Sequence, residues 1–320
     1  MGGKLYNKAI LARQQNIKSL YFKKMLKLIE TNDKVCFLAS DALMEGSILR
    51  RAMSMYPNRI IDVGIAEQNL VGVAAGMAIS GMLPYVNAMA PFLIMRALEQ
   101  IHTDIAYNDV PVKLIGASGG TSNSGGPTHH LICDFGIMNA IPNMTIVVPS
   151  NMNQFLAVIE STIEYPFPIY IRMPTQNTTI DSNDQEISIG KARVVHKGND
   201  VTIIATGRCV KEATIAATRL SEECIFVRVV DMHTIKPIDK ECIITAAKET
   251  GNIIIAEDHN AEGGLGTLVC SAIAESGIKC KIRKLGIPDE FALLGNAKQV
   301  ADYYGFSANG MIDAIHSILM

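Results

Sequence analysis

Glu67 sits in "RIIDVGIAEQNLVGVAAGMAISG", Arg59 to Gly81, at the mouth of an apolar segment spaced by glycines. A carboxylate in water costs little. One that enters an apolar environment needs a partner to offset its desolvation. Gly72 and Gly76 share one face of the helix that this spacing predicts, with Ala75 nearby. Each glycine costs a helix roughly 1 kcal/mol against alanine, so the pair predicts something packed close to the backbone and Glu67 buried beside it. The plain alternative is an acidic residue favoured in a first turn by the helix dipole.

Four other stretches carry side chains able to do chemistry. In "SNSGGPTHH", Ser122 to His130, Gly125 and Gly126 permit positive φ and Pro127 stiffens the exit. The loop follows a predicted strand, and ligands of open α/β sheets bind beyond the C-terminal strand ends. His129 and His130 could present an imidazole to a polar substrate. With no third ligand nearby they make a poor metal site, and the alternative is an exposed turn. Arg172 ends "PIYIR" and offers a planar fork to phosphate or carboxylate, or simply a surface ion pair. Asp41, in "ASDALMEGS", stands beyond another strand end with the same two readings. "EDHNAEGGLG", Glu257 to Gly266, has three glycines but not the G-x-G-x-x-G spacing of a dinucleotide site. It reads as a turn feeding a helix over Leu265 to Glu275.

These residues need a scaffold of strands and helices. Short apolar runs predict strands at Val35 to Ala39, Pro84 to Ala88, Val112 to Ala117, Thr145 to Pro149 and Pro168 to Arg172. Helical patterns lie between them at Glu67 to Ser80, Phe92 to Ala106 and Met152 to Glu164. "PTQNTTIDSNDQEIS", Pro174 to Ser188, is polar and aperiodic and reads as a linker. The rhythm then restarts with strands at Val201 to Thr206, Ile225 to Val230, Asn252 to Glu257 and Cys280 to Leu285. The fold class expected is α/β: two domains, each a mainly parallel sheet flanked by helices. The boundaries expected are 1–175, a linker at 176–189, and 190–320.

Bulk properties narrow the function. The 320 residues suffice for two full cores, and 48% are hydrophobic, as in globular proteins. A net charge of -2 gives no electrostatic case for nucleic acid. Apolar runs are too short or too interrupted to span a membrane. The seven cysteines form no C-x-x-C pair and read as reduced core thiols, which predicts a cytoplasmic protein. Ile17, Leu20, Tyr21, Met25, Leu28 and Ile29 have helical spacing among lysines, which predicts an amphipathic N-terminal helix rather than a targeting peptide.

Taken together, "DVGIAEQNLVGVAAGMAISG", "PFLIMRALEQI", "GGPTHH" and "EDHNAEGGLG" resemble the thiamine-diphosphate-dependent transketolase family. The resemblance covers the chain from about Asn7 onward and is to the family's C-terminal half, a pyrimidine-binding domain followed by the transketolase C-terminal domain. It is nearest to the split transketolases, in which this half is a separate subunit. It implies transfer of a two-carbon ketol unit from a ketose, phosphorylated or otherwise anionic, to an aldehyde. Glu67 would hydrogen-bond N1′ of the cofactor's aminopyrimidine, Phe92 would stack on that ring, and Asp41 would lie near it. His129 would meet the reacting end of the donor, and Arg172 and His130 would bind substrate.

Three departures from the family pattern bear on the substrate. Gly125 replaces an aspartate, a histidine near Ala117 or Ser118 is missing, and Met89 replaces an aromatic. They imply a sugar other than the ordinary pentose phosphates. The G-D-G and asparagine motif that holds the diphosphate and Mg²⁺ is not found. The resemblance therefore implies a partner subunit that carries the N-terminal half and the metal ligands, in a heterotetramer. The alternatives are the β subunit of a 2-oxo acid dehydrogenase E1 component and a non-catalytic scaffold of the same fold.

Overall fold

A computed structural model describes residues 19–41, 47–123, 125–175 and 187–320. In chain order its strands are β1 (Val35–Ala39), β2 (Ile60–Asp62), β3 (Leu83–Met89), β4 (Lys113–Ala117), β5 (Thr145–Val147), β6 (Ile169–Arg172), β7 (Arg193–His196), β8 (Val201–Ala205), β9 (Val227–Asp231), β10 (Thr234–Lys236), β11 (Asn252–Asn260) and β12 (Lys281–Ile287). They fall into two compact units. The first takes in the chain to Ala117, Ile141–Met144 and the stretch from Asn151 on; the second takes in Ser118–Ala140, Thr145–Ser150 and the C-terminal part. Most of the expected linker, 176–186, lies outside the described residues.

In the first unit β6, β4, β3, β1 and β2 pair in that order, all parallel. β1, β4 and β6 are buried throughout, as strands of a parallel sheet covered on both faces are, with Lys113 and Arg172 the charged residues among them. β1 has β2 on one side and β3 on the other, so the winding reverses at its C-terminal end, where Ser40 and Asp41 follow. Such a reversal opens the crevice in which open α/β sheets bind ligands. The N-terminal helix, described over 19–31, buries Tyr21, Phe22, Met25, Leu28 and Ile29 and turns Lys23 and Lys27 outward. Ile17 lies outside the described residues.

The second unit pairs β12, β11, β8, β9 and β7 in that order, parallel except for the antiparallel edge strand β7. β5 and β10 pair antiparallel in the same unit. β11 sits between β12 and β8 and runs to Asn260, beyond the predicted end at Glu257. Among the described residues, no helix is long and apolar enough to cross a membrane.

Two expectations need correction. The continuous helix expected over Phe92 to Ala106 is broken into a π-helical turn Phe92–Arg96, a short α segment Leu98–Gln100 and a second π-helical stretch Ile101–Ala106. Nor does this chain pack closely over the glycines of helix Glu67–Ile79. A Cβ on Gly72 would come no nearer than 3.8 Å to Asp104, and one on Gly76 would meet nothing within 4 Å.

Candidate active site

Glu67 opens its helix and is only 3% exposed. The preceding N-cap, Ala66, makes no side-chain cap bond, and the serine after β1 fills that role. Ser40 Oγ accepts from the Ala66 amide at 3.2 Å, and it lies 2.8 Å from the Gly64 carbonyl and 3.1 Å from Glu67 Oε1. A hydroxyl has one proton, so Ser40 divides it between two acceptors. On the other side, Arg96 Nη1 donates to Glu67 Oε2 at 2.5 Å. The Arg96 side chain is 43% exposed against 4% for Glu67, so a buried acid is held by a cation that reaches in from solvent. The same guanidinium lies 4.6 Å over the Phe92 ring.

The backbone around this acid is also fixed. Asp62, the last residue of β2, accepts at one carboxylate oxygen from the amides of Asp41 and Gly64, each at 3.0 Å. Both residues are left-handed, with φ of 48° and 75°, a conformation that aspartate tolerates and glycine adopts freely. Asp41 itself is exposed, and the residues after it, 42–46, lie outside the described ones. Arg172 ends β6 opposite Gly116 of β4 and is 7% exposed. The first unit thus gathers Glu67, Phe92, Ser40 and Arg96, sets Asp41 beside Ser40, and has Arg172 at another strand end.

His129 and His130 belong to the second unit. A single 3₁₀ turn, Pro127–His129, follows Gly126 at φ +78°. His129 is half-buried, its Nδ1 3.0 Å from Thr128 Oγ1. His130 is buried at 6% exposure, and its Nε2 donates to the Asn123 carbonyl at 2.8 Å. Its Nδ1 is buried with no partner among the described residues. A Cβ on Gly125 would lie 2.9 Å from His129 Cγ, so a side chain there would displace the imidazole.

The glycines of "EDHNAEGGLG" do not form a phosphate cradle. Glu257 is 1% exposed and takes the Leu265 and Gly266 amides at 2.7 and 2.8 Å, so its own carboxylate fills the N-terminus of helix Leu265–Ser276. No cluster of three His, Cys, Asp or Glu side chains able to hold a metal ion occurs among the described residues. All seven cysteines are free, and burial pushes Cys36 up to about 12 and Cys209 higher still, which makes them core thiols and not nucleophiles. Ser40, Asp62 and Arg96 were not among the expected site residues. The signal for Arg96 was a lone arginine four residues after Phe92 in an otherwise apolar run.

Two family models match the chain: the transketolase pyrimidine-binding domain over residues 14–180 and the transketolase C-terminal domain over 190–311. The 6-deoxy-6-sulfo-D-fructose transketolase subunit SqwH of Clostridium sp. (strain MSTE9) is 33% identical over 304 residues, 94% of each chain. One of the subunits of the apulose-4-phosphate transketolase of Actinobacillus succinogenes is 39% identical over 268 residues, 82% of this chain and 86% of that one. A solved structure described as a split gene transketolase, inactive beta4 tetramer, superposes with a TM-score of 0.85 at 33% identity, covering 95% of this chain and 98% of that one.

The fold and these matches define half of a thiamine-diphosphate-dependent α/β transferase, resting on two mainly parallel sheets. The chain belongs to the transketolase family and is a C-terminal, transketolase-type subunit. The E1 β-subunit and scaffold readings are not favoured by these relatives.

Proposed function

We propose that this chain joins a separate N-terminal-half subunit, two copies of each, and transfers a two-carbon ketol unit from an anionic ketose to an aldehyde in the cytoplasm. The observation that carries the reading is Glu67: a carboxylate held out of water whose partners are one shared hydroxyl and one half-exposed arginine. A buried acid so placed suits the ring nitrogen of an aminopyrimidine, and Phe92 beside it supplies an aromatic face. When bound, thiamine diphosphate supplies the carbon nucleophile and the electron sink for C–C cleavage and formation. Glu67 would hold a proton at the pyrimidine N1′, Ser40 would orient its Oε1, and Asp41 would lie at the ring's edge. His129 would meet the donor's developing alkoxide, with His130 and Arg172 binding the substrate, Arg172 at its anionic end. Mg²⁺ and the diphosphate would be held by the partner.

The domain reading that goes with it is a pyrimidine-binding domain over 1–175, a linker over 176–189 and a C-terminal domain over 190–320. The open face of helix Glu67–Ile79 supports a docked partner. Gly76 has free space above it, and Ile65, Ile79 and Met95 are 74, 67 and 57% exposed. Two relatives are named for a sulfonated and a phosphorylated sugar, which supports an anionic substrate. The test is to co-express the chain with its N-terminal-half partner and to assay 6-deoxy-6-sulfofructose and apulose 4-phosphate as ketol donors. Turnover of either, dependent on thiamine diphosphate and both subunits, supports the reading. Decarboxylation of a 2-oxo acid instead would overturn it.

A further inference from the structure

We propose that Asp258 and His259 are positioning residues for this reaction, gripping both ends of the loop that presents His129. The inference rests on the reading that His129 meets the substrate. It gives a role to the one motif, "EDHNAEGGLG", that the site above leaves without one.

Among the described residues between Thr121 and Leu131, the only regular structure is the three-residue turn Pro127–His129. The loop's neck closes through a two-way backbone pair, Gly120 N to Leu131 O at 2.9 Å and Leu131 N to Gly120 O at 3.0 Å. Just inside that neck Asp258 Oδ1 accepts from Thr121 twice, from its amide at 3.1 Å and its hydroxyl at 2.8 Å. Thr121 and Asp258 are 1% and 4% exposed, so water does not compete for these bonds. Gly120, at φ +66°, lies so close to the Asp258 carboxylate that a Cβ would collide with it. The other Asp258 oxygen lies 3.6 Å from Arg208 Nη1.

The far side of the neck is held by the next two residues of the same strand. The Asn260 amide donates to the Ile132 carbonyl at 2.7 Å. The Phe135 amide donates to His259 Nε2 at 3.1 Å, and the two rings stack at 4.5 Å with 2° between their planes. An amide can only donate, so Nε2 is the bare nitrogen. His259 Nδ1 therefore carries the proton and gives it to the Asn260 carbonyl at 2.7 Å. The imidazole is thus fixed as one neutral tautomer, with Asp134 and Glu257 oxygens beyond hydrogen-bond reach at 3.8 and 3.7 Å. All three anchors stand at the end of β11, whose register is set by β8 on one side and β12 on the other. A strand end fixed on both sides therefore decides where the loop holds its histidines.

The experiment uses the reconstituted two-subunit enzyme with 6-deoxy-6-sulfofructose or apulose 4-phosphate as donor. Thr121→Val deletes one hydroxyl without changing volume, Thr121→Ser keeps the hydroxyl, and Asp258→Asn alters the acceptor. Thr121→Val is expected to lower kcat about ten- to a hundredfold, because small misplacements of a reacting group cost that much. Thiamine diphosphate affinity should stay near wild type, the thermal midpoint should fall only by the few degrees that one lost buried hydrogen bond costs, Thr121→Ser should recover most of the rate, and amide exchange over 125–131 should quicken. The decisive readout is coupling: in a His129→Ala background Thr121→Val should cost little more. Independent, multiplicative losses would overturn the positioning role while leaving the His129 reading intact. Unchanged turnover in His129→Ala alone would overturn both.

Discussion

Arg96→Met tests whether Glu67 is a buried acid held by one reaching cation. The methionine keeps the apolar stem and removes the guanidinium that donates to Glu67 Oε2 at 2.5 Å. Truncating one partner of a fully buried pair costs about 3–5 kcal/mol. Here 43% of the Arg96 side chain stays exposed, so solvent screens the pair and the expected cost is about 1–2 kcal/mol. Ser40 remains, and its hydroxyl can still donate a hydrogen bond to Glu67 Oε1. Chemical denaturation of Arg96→Met, Glu67→Gln and the double variant closes a cycle. Arg96→Met should cost about 1–2 kcal/mol with Glu67 in place and clearly less once the charge is gone and only a neutral hydrogen bond is left to lose. Equal costs in both backgrounds would refute the pairing.

Further expectations concern other parts of the chain. Gly76→Leu enters open space on a helix, so it should raise the thermal midpoint of the isolated chain while weakening assembly with the partner, read by size-exclusion chromatography. Gly125→Ala should lower kcat at unchanged cofactor affinity, because the new Cβ would lie 2.9 Å from the His129 ring. Lys113 is fully buried, its Nζ on the Tyr165 carbonyl at 2.6 Å, and burial lowers it from the ordinary 10.5 to about 7. The unfolded chain keeps that proton up to pH 10.5, so stability rises between pH 7 and 10.5 and is lost as pH falls toward 7, by about 5 kcal/mol in all. The stability gap between wild type and Lys113→Met should accordingly shift by about 1.4 kcal/mol per pH unit over that window. Denaturation curves that stay parallel would rule it out.

The scaffold was legible where burial on both faces makes a strand a mostly apolar run, as in β1, in β4 after Lys113 and in β8 around Thr202. It was not legible where strands are short or lie at an edge. β2 is three residues ending in Asp62, β7 is a half-buried antiparallel edge, and β10 is three residues paired only to β5 among the pairings described. Apolar periodicity also could not reveal the widened turns at Phe92–Arg96 and Ile101–Ala106. Glu67 stood out because a carboxylate in an apolar, glycine-spaced segment is costly. Its partners did not stand out, because Ser40 and Arg96 lie 27 and 29 residues away and only the fold brings them in. Gly72 and Gly76 were misread for a related reason: a glycine marks where a side chain is unwelcome, not which chain fills the space. The role of Glu257 at its helix N-terminus was likewise hidden, since the glycines around it fit a phosphate equally well.

The proton that Glu67 holds for the cofactor ring is tested most directly by the ketol-transfer rate of the reconstituted enzyme carrying Glu67→Gln, at saturating thiamine diphosphate. The amide fills the same volume and can still bond Ser40 and Arg96, but it cannot hold a proton for the ring nitrogen. Both halves should assemble and keep their fold while turnover falls to background. Substantial turnover in that variant would contradict the role given to Glu67.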